Sequence, residues 1–255
     1  MKNDTLFHLS FSPEVYSAKY AIVPGAPERC ELIANLLNSP QKIAQNREYT
    51  TFIAKTNSGD NVFITSTGIG GPSTAIAVEE LHIAGVDTFI RIGTAGGINL
   101  DVGAGDLAIA TAAVRQEGTS LHYAPIEYPA AADFEVISAL KSSADKLNLR
   151  SHLGVVQSKD SFYGQHSPTT KPVANDLLTK WEAWKRLNVL CSEMEAAALF
   201  TVAASLGCRA GAAFHILWNQ EKKEIGVDEQ KNLDTSNAVK CVVNAINILS
   251  ENDKK

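Results

Sequence analysis

The chain has 255 residues, of which 45% are hydrophobic and 20% are charged. This composition supplies a sizeable core and excludes an intrinsically disordered chain. The net charge is −5 at pH 7, and no basic stripe is present, which argues against nucleic acid as the main partner. An anionic substrate would have to be held by a few placed arginines, because the overall field does not attract it.

The cysteines and the N-terminus bear on the compartment. Cys30, Cys191, Cys208 and Cys241 are widely spaced, unlike the cysteines of a disulfide-stapled domain or a zinc site. The N-terminal MKNDTLFHLS has no apolar signal region, and no run of the sequence approaches transmembrane length. We therefore expect a reduced, cytoplasmic protein without a membrane partner.

Strands and helices are predicted to alternate along the chain. The predicted strands are Tyr20–Val23, Val62–Ser66, Thr88–Ile92, Leu107–Thr111, Gly154–Gln157 and Gly211–Leu217. The predicted helices are Glu28–Leu37, Ser73–Ala84, Phe134–Leu147, Glu193–Leu206 and Thr235–Leu249. This alternation predicts a single α/β domain over residues 1–255, with a parallel or mixed sheet covered by helices on both faces. The final ENDKK is expected to be a frayed tail.

Two familiar nucleotide-binding loops are absent from the sequence. GxxxxGK[ST] does not occur, and the GxGxxG pattern that Gly103 and Gly105 would begin has Ala108 at its last position. P-loop and Rossmann interpretations are therefore rejected. In layered α/β sheets ligands gather beyond the carboxyl ends of strands, so the residues at those ends are the candidates for a site.

Arginines follow two of the predicted strands. Arg91 and Thr94 lie in FIRIGTAGG, where an apolar run carries a cation and then breaks into small residues, and Arg29 follows Gly25 after the first strand. An arginine is costly to bury without an anion, and its planar fork suits phosphate oxygens. The alternative for Arg91 is a structural salt bridge to Glu48 or Asp106. Two arginines at strand ends favour an oxyanion site.

A glycine-rich segment, Thr67–Ser73, joins another strand to a helix that is predicted to begin near Pro72. Glycines let the backbone pass close to another group, and amides at a helix start favour anions. A tight turn without any ligand is equally compatible with this pattern.

Two further segments offer groups for a nucleoside-like ligand. In Phe162-Tyr163-Gly164-Gln165 an aromatic ring can stack on a planar heterocycle, and an amide can bind its edge, although such a loop can also simply cover the surface. In Ser192-Glu193-Met194-Glu195 one carboxylate can bind vicinal hydroxyls and Met194 can form an apolar wall. The alternative is that both acids only complement the dipole of the following helix.

Together these segments resemble the nucleoside phosphorylase family, and within it most closely the bacterial uridine phosphorylases. The segments that carry the resemblance are AIVPGAPERCELIA, NREYTTF, STGIGGPSTAIAVEEL, FIRIGTAGGI, ADFE and SEMEAAAL, and they span nearly the whole chain. The resemblance implies the family's three-layer fold, with a central mixed β-sheet between helices. It also implies phosphorolysis, in which phosphate attacks C1′ of a nucleoside while the glycosidic bond breaks, with no metal or organic cofactor required.

The resemblance assigns roles to individual residues. It implies phosphate binding by Gly25, Arg29, Arg91 and Thr94, together with Arg47 from a neighbouring subunit. It implies ribose binding by Glu193, Met194 and Glu195, with His8 reaching across the same interface. Base binding falls to Phe162, Gln165 and Gln220, and the catalytic core to Arg91, Thr94 and Glu195. Glu48, Ile69 and Ser73 match the positions that hold a monovalent cation such as K⁺ between two subunits. A dimer is then the minimal active unit, and a hexamer of three dimers is the usual family assembly.

The sequence departs from the uridine phosphorylase pattern on the base side. The family has an arginine two residues after the Gln, where this chain has Ser167, and a second arginine after the late asparagine, where it has Gln220. The aspartate of purine-specific relatives is absent from Leu217–Gln220 as well. We hypothesise weaker and broader pyrimidine use. His166, Lys222 or Lys223 could restore a donor, Gln165 and Gln220 could bind another base, or neutral donors could still bind uracil less well.

Two rival functions fit the same residues. A nucleoside hydrolase of the same fold would have no use for three phosphate-facing arginines, and Arg29, Arg47 and Arg91 are all present. A non-catalytic nucleoside-binding paralogue is suggested by the altered base side, but the catalytic half shows no matching loss.

Overall fold

The computed structural model describes residues 5–255, which form one sheet with helices on both faces. The strands are β1 Tyr20–Pro24, β2 Asn38–Asn46, β3 Tyr49–Lys55, β4 Asn61–Thr65, β5 Thr88–Gly97, β6 Leu107–Gln116, β7 Ala130–Ala131, β8 Ser151–Lys159, β9 Cys191–Glu193 and β10 Arg209–Asn219. The helices are α1 Glu28–Ala34, α2 Gly71–Ile83, α3 Phe134–Lys146, α4 Phe162–His166, α5 Ala174–Arg186, α6 Ala196–Ser205, α7 Gln220–Glu224 and α8 Ser236–Asn252.

The sheet closes on itself around β5. Its strand order is β10-β6-β8-β9-β5-β1-β4-β3-β2, and β10 pairs with β5 as well as with β6. The strands β5, β10, β6, β8 and β9 therefore form a closed ring, from which β1, β4, β3 and β2 extend as an open arm. Parallel and antiparallel pairs are mixed, as expected from the sequence.

Helices cover the sheet on two sides and give three layers. On one side the apolar residues of α2 and α6 pack with Ala21 and Val23 of β1. On the other side α1, α3 and α8 pack with Tyr20 and Ile22 of the same strand. This alternation is the period-two pattern of a strand that is buried on both faces. The predicted single-domain α/β fold is confirmed.

Strand register brings distant segments of the sequence to one place. Val23 of β1 is paired with Arg91 of β5, and Gly96 of β5 is paired with Ser192 of β9. Ser158 of β8 is in turn paired with Glu193 of β9. The residues at and just beyond these pairs form the site described below.

The prediction that FIRIGTAGG leaves the strand after Ile92 was wrong. β5 continues to Gly97, and it stays paired with β10 over that length. The small residues make room for the neighbouring strand: a Cβ on Gly93 would lie 2.7 Å from Cδ1 of Phe214, and one on Gly97 would lie 2.8 Å from Nδ2 of Asn219. Arg91 therefore lies in the middle of a strand.

The C-terminal segment was also predicted incorrectly. Helix α8 continues to Asn252, inside the ENDKK that we expected to fray. Asp253 accepts hydrogen bonds from Arg209 and from the Tyr20 hydroxyl (2.8 Å), and it pairs with Lys19 (2.7 Å). These contacts anchor the end of the chain beside β1 and β10.

Several elements were not predicted, namely β2, β3, β7, β9, α4, α5 and α7. The predicted helix from Glu193 begins at Ala196 instead, because Cys191–Glu193 form the short strand β9. Within residues 5–255, none of the helices is both long and apolar enough to cross a membrane.

Candidate active site

Arg91 lies at the centre of the site and is almost completely buried, with 4% of its surface exposed. Its Nη2 donates to Oε2 of Glu195 at 2.6 Å, and its Nη1 donates to Oγ1 of Thr67 at 3.0 Å. Its Nε has no hydrogen-bond partner within residues 5–255 and lies 4.0 Å from Oε2 of Glu193. The buried Nε–H group is therefore available to bind a ligand.

The salt-bridge alternative for Arg91 named the wrong acids. Asp106 binds Nε2 of His152 (2.8 Å), lies 3.4 Å from Nε of Arg150 and accepts from the Gly103 backbone N–H. The acid that pairs with Arg91 is Glu195, which the sequence analysis assigned to ribose binding.

Arg29 is the second cation of the site. It is half-buried at the start of α1, and its side chain makes no ion pair or hydrogen bond with the part of the chain that the structure describes. Burial and the nearby charge of Arg91 lower the pKa of Arg29 from its usual value. Arg91 has the carboxylate of Glu195 at 2.6 Å and that of Glu193 at 4.0 Å, whereas the side chain of Arg29 has no ion-pair partner among residues 5–255, so its charge is suited to an anionic ligand.

Gly25 and Thr94 flank these arginines. A Cβ on Gly25 would lie 3.5 Å from Nη2 of Arg91 and 3.4 Å from the Gly68 carbonyl oxygen, so the β1 turn passes directly beside the guanidinium. Thr94 is half-buried, three residues along β5, and its hydroxyl has no hydrogen-bond partner among residues 5–255. The predicted phosphate-binding residues other than Arg47 therefore come from β1, α1 and β5, which are adjacent.

The two carboxylates of Ser192–Glu195 have different environments. Glu195 is buried, and its Oε1 accepts from the Gly70 backbone N–H at 2.6 Å while Oε2 holds Arg91. Glu193 accepts from the backbone N–H groups of Glu195 (2.8 Å) and Ala196 (2.9 Å) and from the Ser158 hydroxyl. Glu193 thus caps α6, as the dipole alternative stated. Burial and the charge of Glu195 raise the pKa of Glu193. Direct ribose binding by Glu193, Met194 and Glu195 stays a prediction.

His8 and Arg47 lie on neighbouring segments of the surface. Nδ1 of His8 is 2.7 Å from Oε1 of Glu80, and its backbone carbonyl accepts from Asn46 at 2.9 Å. Arg47 follows Asn46 in the turn between β2 and β3, where it is exposed and has a positive φ of 51°. Among residues 5–255 Arg47 has no ion pair or hydrogen bond through its side chain. Arg47 is presented outward, as a contribution to another subunit requires, whereas the ring of His8 is half-buried beside Glu80.

The three residues matched to a cation site are brought together. Oγ of Ser73 donates to the carbonyl oxygen of Ile69 at 3.2 Å. A Cβ on Gly68 would lie 2.9 Å from Cγ of Glu48, so the glycine allows this side chain to approach the Thr67–Ser73 turn. Carboxylate, hydroxyl and carbonyl oxygens are the ligands that a hard monovalent cation takes. The residues therefore fit the ion, and its binding stays a prediction.

A cavity of about 540 Å³ opens on the base side. Gln165 and Gln220 line it, and their side chains are joined by a 3.1 Å hydrogen bond from Nε2 to Oε1. Phe162 is half-exposed, and its ring packs 4.3 Å from that of His166, which in turn stacks on Trp218. Trp181 and Trp184 of α5 line the far wall of the cavity.

Lys159 is a site residue that the sequence reasoning missed. It ends β8, lines the cavity and has only 6% of its surface exposed. Nζ donates to Oγ of Ser192 at 2.7 Å, and this hydroxyl donates to Oε1 of Gln165 at 2.6 Å. The available sequence signal was a lysine at the carboxyl end of a strand, directly before the aromatic loop.

The three residues proposed to replace the missing arginines differ in position. Lys222 is paired with Glu229 at 3.2 Å. Lys223 is exposed at the cavity wall. His166 lines the cavity, and burial followed by the charge of Lys159 lowers its pKa, which favours the neutral ring at neutral pH.

Comparisons with known proteins agree with this geometry. A sequence model of the phosphorylase superfamily matches residues 19–251. A uridine phosphorylase of Treponema pallidum (strain Nichols) is 49% identical over 234 residues, which are 92% of this chain and 90% of that protein. The uridine phosphorylase of Escherichia coli (strain K12) is 44% identical over 249 residues, 96% of this chain and 98% of that protein. A guanosine phosphorylase of Halorubrum lacusprofundi is 41% identical over 192 residues, 75% of each chain.

Proposed function

The chain belongs to the phosphorylase superfamily, and on this premise we propose that it is a pentosyltransferase that catalyses uridine phosphorolysis. Uridine and inorganic phosphate give uracil and ribose 1-phosphate. Uridine phosphorylases that match nearly its whole length support the reaction. The observation that carries the proposal is the convergence of Arg29 and Arg91 beside the buried carboxylate of Glu195.

The site residues divide the reaction into three tasks. Arg29 and Arg91, with the Thr94 hydroxyl, hold phosphate in line with C1′, which is catalysis by proximity and orientation. Glu195 accepts from the ribose hydroxyls, and the C1′–N1 bond breaks as a phosphate oxygen bonds to C1′. The electron pair of the broken bond leaves on the base, where hydrogen-bond donors stabilise it. Gln165 is one donor on that side, and Phe162 stacks on the sugar and base.

The active assembly is a dimer, and three dimers build a hexamer. Support comes from the exposed position of Arg47, whose side chain makes no ion pair with residues 5–255, and from His8, whose backbone carbonyl accepts from the neighbouring Asn46. In the dimer each site receives Arg47 for phosphate and His8 for the ribose 5′-hydroxyl from the neighbouring subunit. Glu48, Ile69 and Ser73 would hold K⁺ between the subunits, where the ion would be bound by carboxylate, carbonyl and hydroxyl oxygens.

The setting of the reaction is nucleoside catabolism and pyrimidine salvage in the cytoplasm. The reactants are a small nucleoside and phosphate, and a net charge of −5 gives the chain no overall attraction for a nucleic acid. The wide spacing of four cysteines agrees with a reducing compartment.

The experiment that tests the reaction is an initial-rate measurement of base release with and without phosphate. We expect release of uracil that requires phosphate and yields ribose 1-phosphate in equal amount. Unchanged activity without phosphate would establish the hydrolase instead. Nucleoside binding without any product would establish the non-catalytic alternative.

Base preference is the second question, because Ser167 and Gln220 stand at the two positions where the uridine phosphorylase pattern has arginines. The cavity of about 540 Å³ and the guanosine phosphorylase relative favour testing purines as well. Steady-state kinetics on uridine, thymidine, inosine and guanosine measure the preference. We expect broad pyrimidine use, and a clear purine preference would refute the pyrimidine assignment.

A further inference from the structure

We propose that Lys159 is the cation of the base site: its ammonium group donates to a carbonyl oxygen of the pyrimidine and stabilises the negative charge on the departing base. This inference rests on the proposed function and names a residue that takes the place of the two missing arginines.

The position of Lys159 places its charge at the base. It is the last residue of β8, one residue after Ser158, which is paired with Glu193 of the sugar-side segment. Its Nζ lies 6.0 Å from the ring centroid of Phe162, the expected stacking residue, and the side chain lines the cavity. The lysine therefore lies between the sugar side and the base side of the site.

Its donors are largely unused. An ammonium group carries three N–H donors, and within residues 5–255 Lys159 uses one of them, on Oγ of Ser192. No carboxylate of these residues lies within 4.0 Å of its nitrogen, whereas other lysines of the chain form ion pairs. A buried cation without a close anion is unfavourable in an empty site. A ligand oxygen in the cavity would satisfy it.

The hydrogen bond to Ser192 also sets the orientation of the base-reading amide. The Ser192 hydroxyl accepts a hydrogen bond from Nζ of Lys159 and donates one to Oε1 of Gln165. The Nε2 group of Gln165 is then turned towards Gln220 and the cavity, where it donates at 3.1 Å. Lys159 thus acts on the base directly and also fixes the amide of Gln165 as a donor on that side.

The other cations of the cavity wall are less suited to the task. Lys185 is paired with Glu182 (2.8 Å) and Glu221 (3.3 Å). Lys223 is exposed, so water screens its charge. Burial and the charges of Lys159 and Lys231 lower the pKa of His166, which favours its uncharged form. Only Lys159, among the described residues that line the cavity, combines burial with a positive charge that no carboxylate neutralises at close range.

Burial lowers the pKa of Lys159 to about 8, although the charges of Glu193, Glu195 and Cys191 raise it in part. The group is therefore still mainly protonated at neutral pH. A lysine of this kind is a better partner for a leaving anion than for a neutral ring, because the opposite charge appears only as the bond breaks.

The test compares Lys159→Met with Lys223→Met, a matched change on the same cavity wall, on two substrates. Uridine and 5-fluorouridine have nearly the same shape, but the fluorinated base is more acidic and leaves more easily as an anion. We expect Lys159→Met to lower kcat/KM for uridine by about 10²–10³, the usual effect of one lost transition-state donor. The loss should be smaller for 5-fluorouridine, and the KM for phosphate should stay near that of the wild type. Lys159→Arg should recover part of the activity, and Lys223→Met should behave as wild type.

The outcomes separate this inference from the proposed function. Wild-type protein without phosphate-dependent uracil release would refute the reaction, and uracil binding would still test Lys159, because Trp181, Trp184 and Trp218 line the cavity and report binding by fluorescence. We expect weaker uracil binding by Lys159→Met than by Lys223→Met in that assay. Equal losses on the two nucleosides would mean a merely structural role for Lys159 and would overturn the inference. So would unchanged kinetics, or uracil binding that does not depend on Lys159.

Discussion

Oε2 of Glu195 lies 2.6 Å from Nη2 of Arg91, and both side chains are more than nine-tenths buried. The carboxylate assigned to the sugar and the guanidinium assigned to phosphate therefore neutralise each other before either substrate arrives. When the substrates bind, phosphate must compete with Glu195 for the guanidinium of Arg91. The ribose hydroxyls must likewise compete with Arg91 for the carboxylate of Glu195. The first prediction follows from this competition.

Glu195→Ala should make the protein unstable without phosphate and unusually responsive to it. Removing one partner of a buried ion pair typically costs about 3–5 kcal/mol, because the remaining charge is left uncompensated. Phosphate supplies the missing anion, and binding to the folded state raises stability by mass action. Thermal unfolding in phosphate-free and phosphate buffers measures the effect. Phosphate should stabilise the variant more than the wild type, although activity is lost.

Glu195→Gln is the matched control for that prediction. Its amide oxygen can still accept from the Gly70 N–H, so its loss of stability should be smaller than that of alanine. Equal responses of the variants and the wild type to phosphate would contradict the competition between Glu195 and phosphate.

Substitutions of Arg29 and Arg91 should have different effects on the melting temperature of the protein. Arg29 has no anionic partner in the described chain, and its pKa is lowered by burial and by Arg91. Arg29→Gln should therefore leave the melting temperature in phosphate-free buffer unchanged or higher. Arg91→Lys removes the planar guanidinium that binds both Thr67 and Glu195. This variant should therefore have a lower melting temperature.

Both of these variants should bind phosphate less well. Loss of one charge-assisted hydrogen bond, worth about 1.5–3 kcal/mol, should lower kcat/KM for phosphate by roughly 10- to 100-fold, while the KM for uridine changes less. Melting curves and kinetics at varied phosphate provide the measurement. A destabilised Arg29→Gln protein would show that Arg29 has a structural role instead.

Mixing two inactive variants tests the shared site. In a dimer that exchanges Arg47, a site is complete when Arg91 of one subunit meets Arg47 of the other. A mixture of Arg47→Ala and Arg91→Ala chains, refolded or exchanged together, should regain about a quarter of wild-type activity, since half of the dimers are mixed and each has one intact site of two. If the mixture stays as inactive as its components, Arg47 acts within its own chain.

Lys159 should reduce the stability of the protein in a pH-dependent way. Its folded-state pKa of about 8 lies below the ordinary 10.5, so the unfolded chain binds more protons between these values and stability rises with pH there. At pH 7 the full penalty applies, at most about 3 kcal/mol for a shift of this size. Lys159→Met should therefore raise the melting temperature at pH 7 and raise it much less near pH 10.

Lys223→Met supplies the comparison, because its side chain is exposed and should give little change at either pH. A stabilisation by Lys159→Met that is equal at the two pH values would show that packing, and not the charge, is responsible. Stabilisation together with lost activity is the pattern expected when a site retains an unfavourable group for its function.

Two glycines of the same strand should differ sharply when changed to alanine. A Cβ on Gly93 would lie 2.7 Å from the Phe214 ring, whereas a Cβ on Gly96 meets no described atom within 4 Å. Gly93→Ala should lose about 1–3 kcal/mol through overpacking, and Gly96→Ala should be near neutral. Chemical denaturation measures both. Equal effects would mean that strand propensity, and not the Phe214 contact, decides these positions.

The main elements of the fold could be predicted from the sequence because they are apolar and regular. β1, β4 and α2 were recognised by burial pattern and by the glycine–proline start of the helix. β2 was not, since its residues are mostly exposed and include Pro40, as is typical of an edge strand. α5 was also missed: none of its 13 positions is fully buried, although its apolar residues Leu177, Leu178, Trp181 and Trp184 recur at helical spacing and line the cavity.

The sequence could indicate candidate residues for the site, but it could not indicate which of them contact each other. The sequence indicated Arg91 and Glu195 as separate groups, because residues 104 positions apart carry no local sign of contact. Only the strand order, which brings β9 against β5, joins them. Lys159 was missed for a similar reason: a lysine is usually exposed, and its burial depends on the loop and on α5 from elsewhere in the chain.

The closed ring of strands has a consequence for how such a protein diversifies. The groups assigned to phosphate and sugar come from β1, β5 and the segment after β9, which the ring and its layers hold in register. Those assigned to the base come from two short helices, α4 and α7, attached where β8 and β10 end. Selection can therefore exchange one nucleoside for another by revising these peripheral turns, while the chemistry of bond cleavage is inherited unchanged.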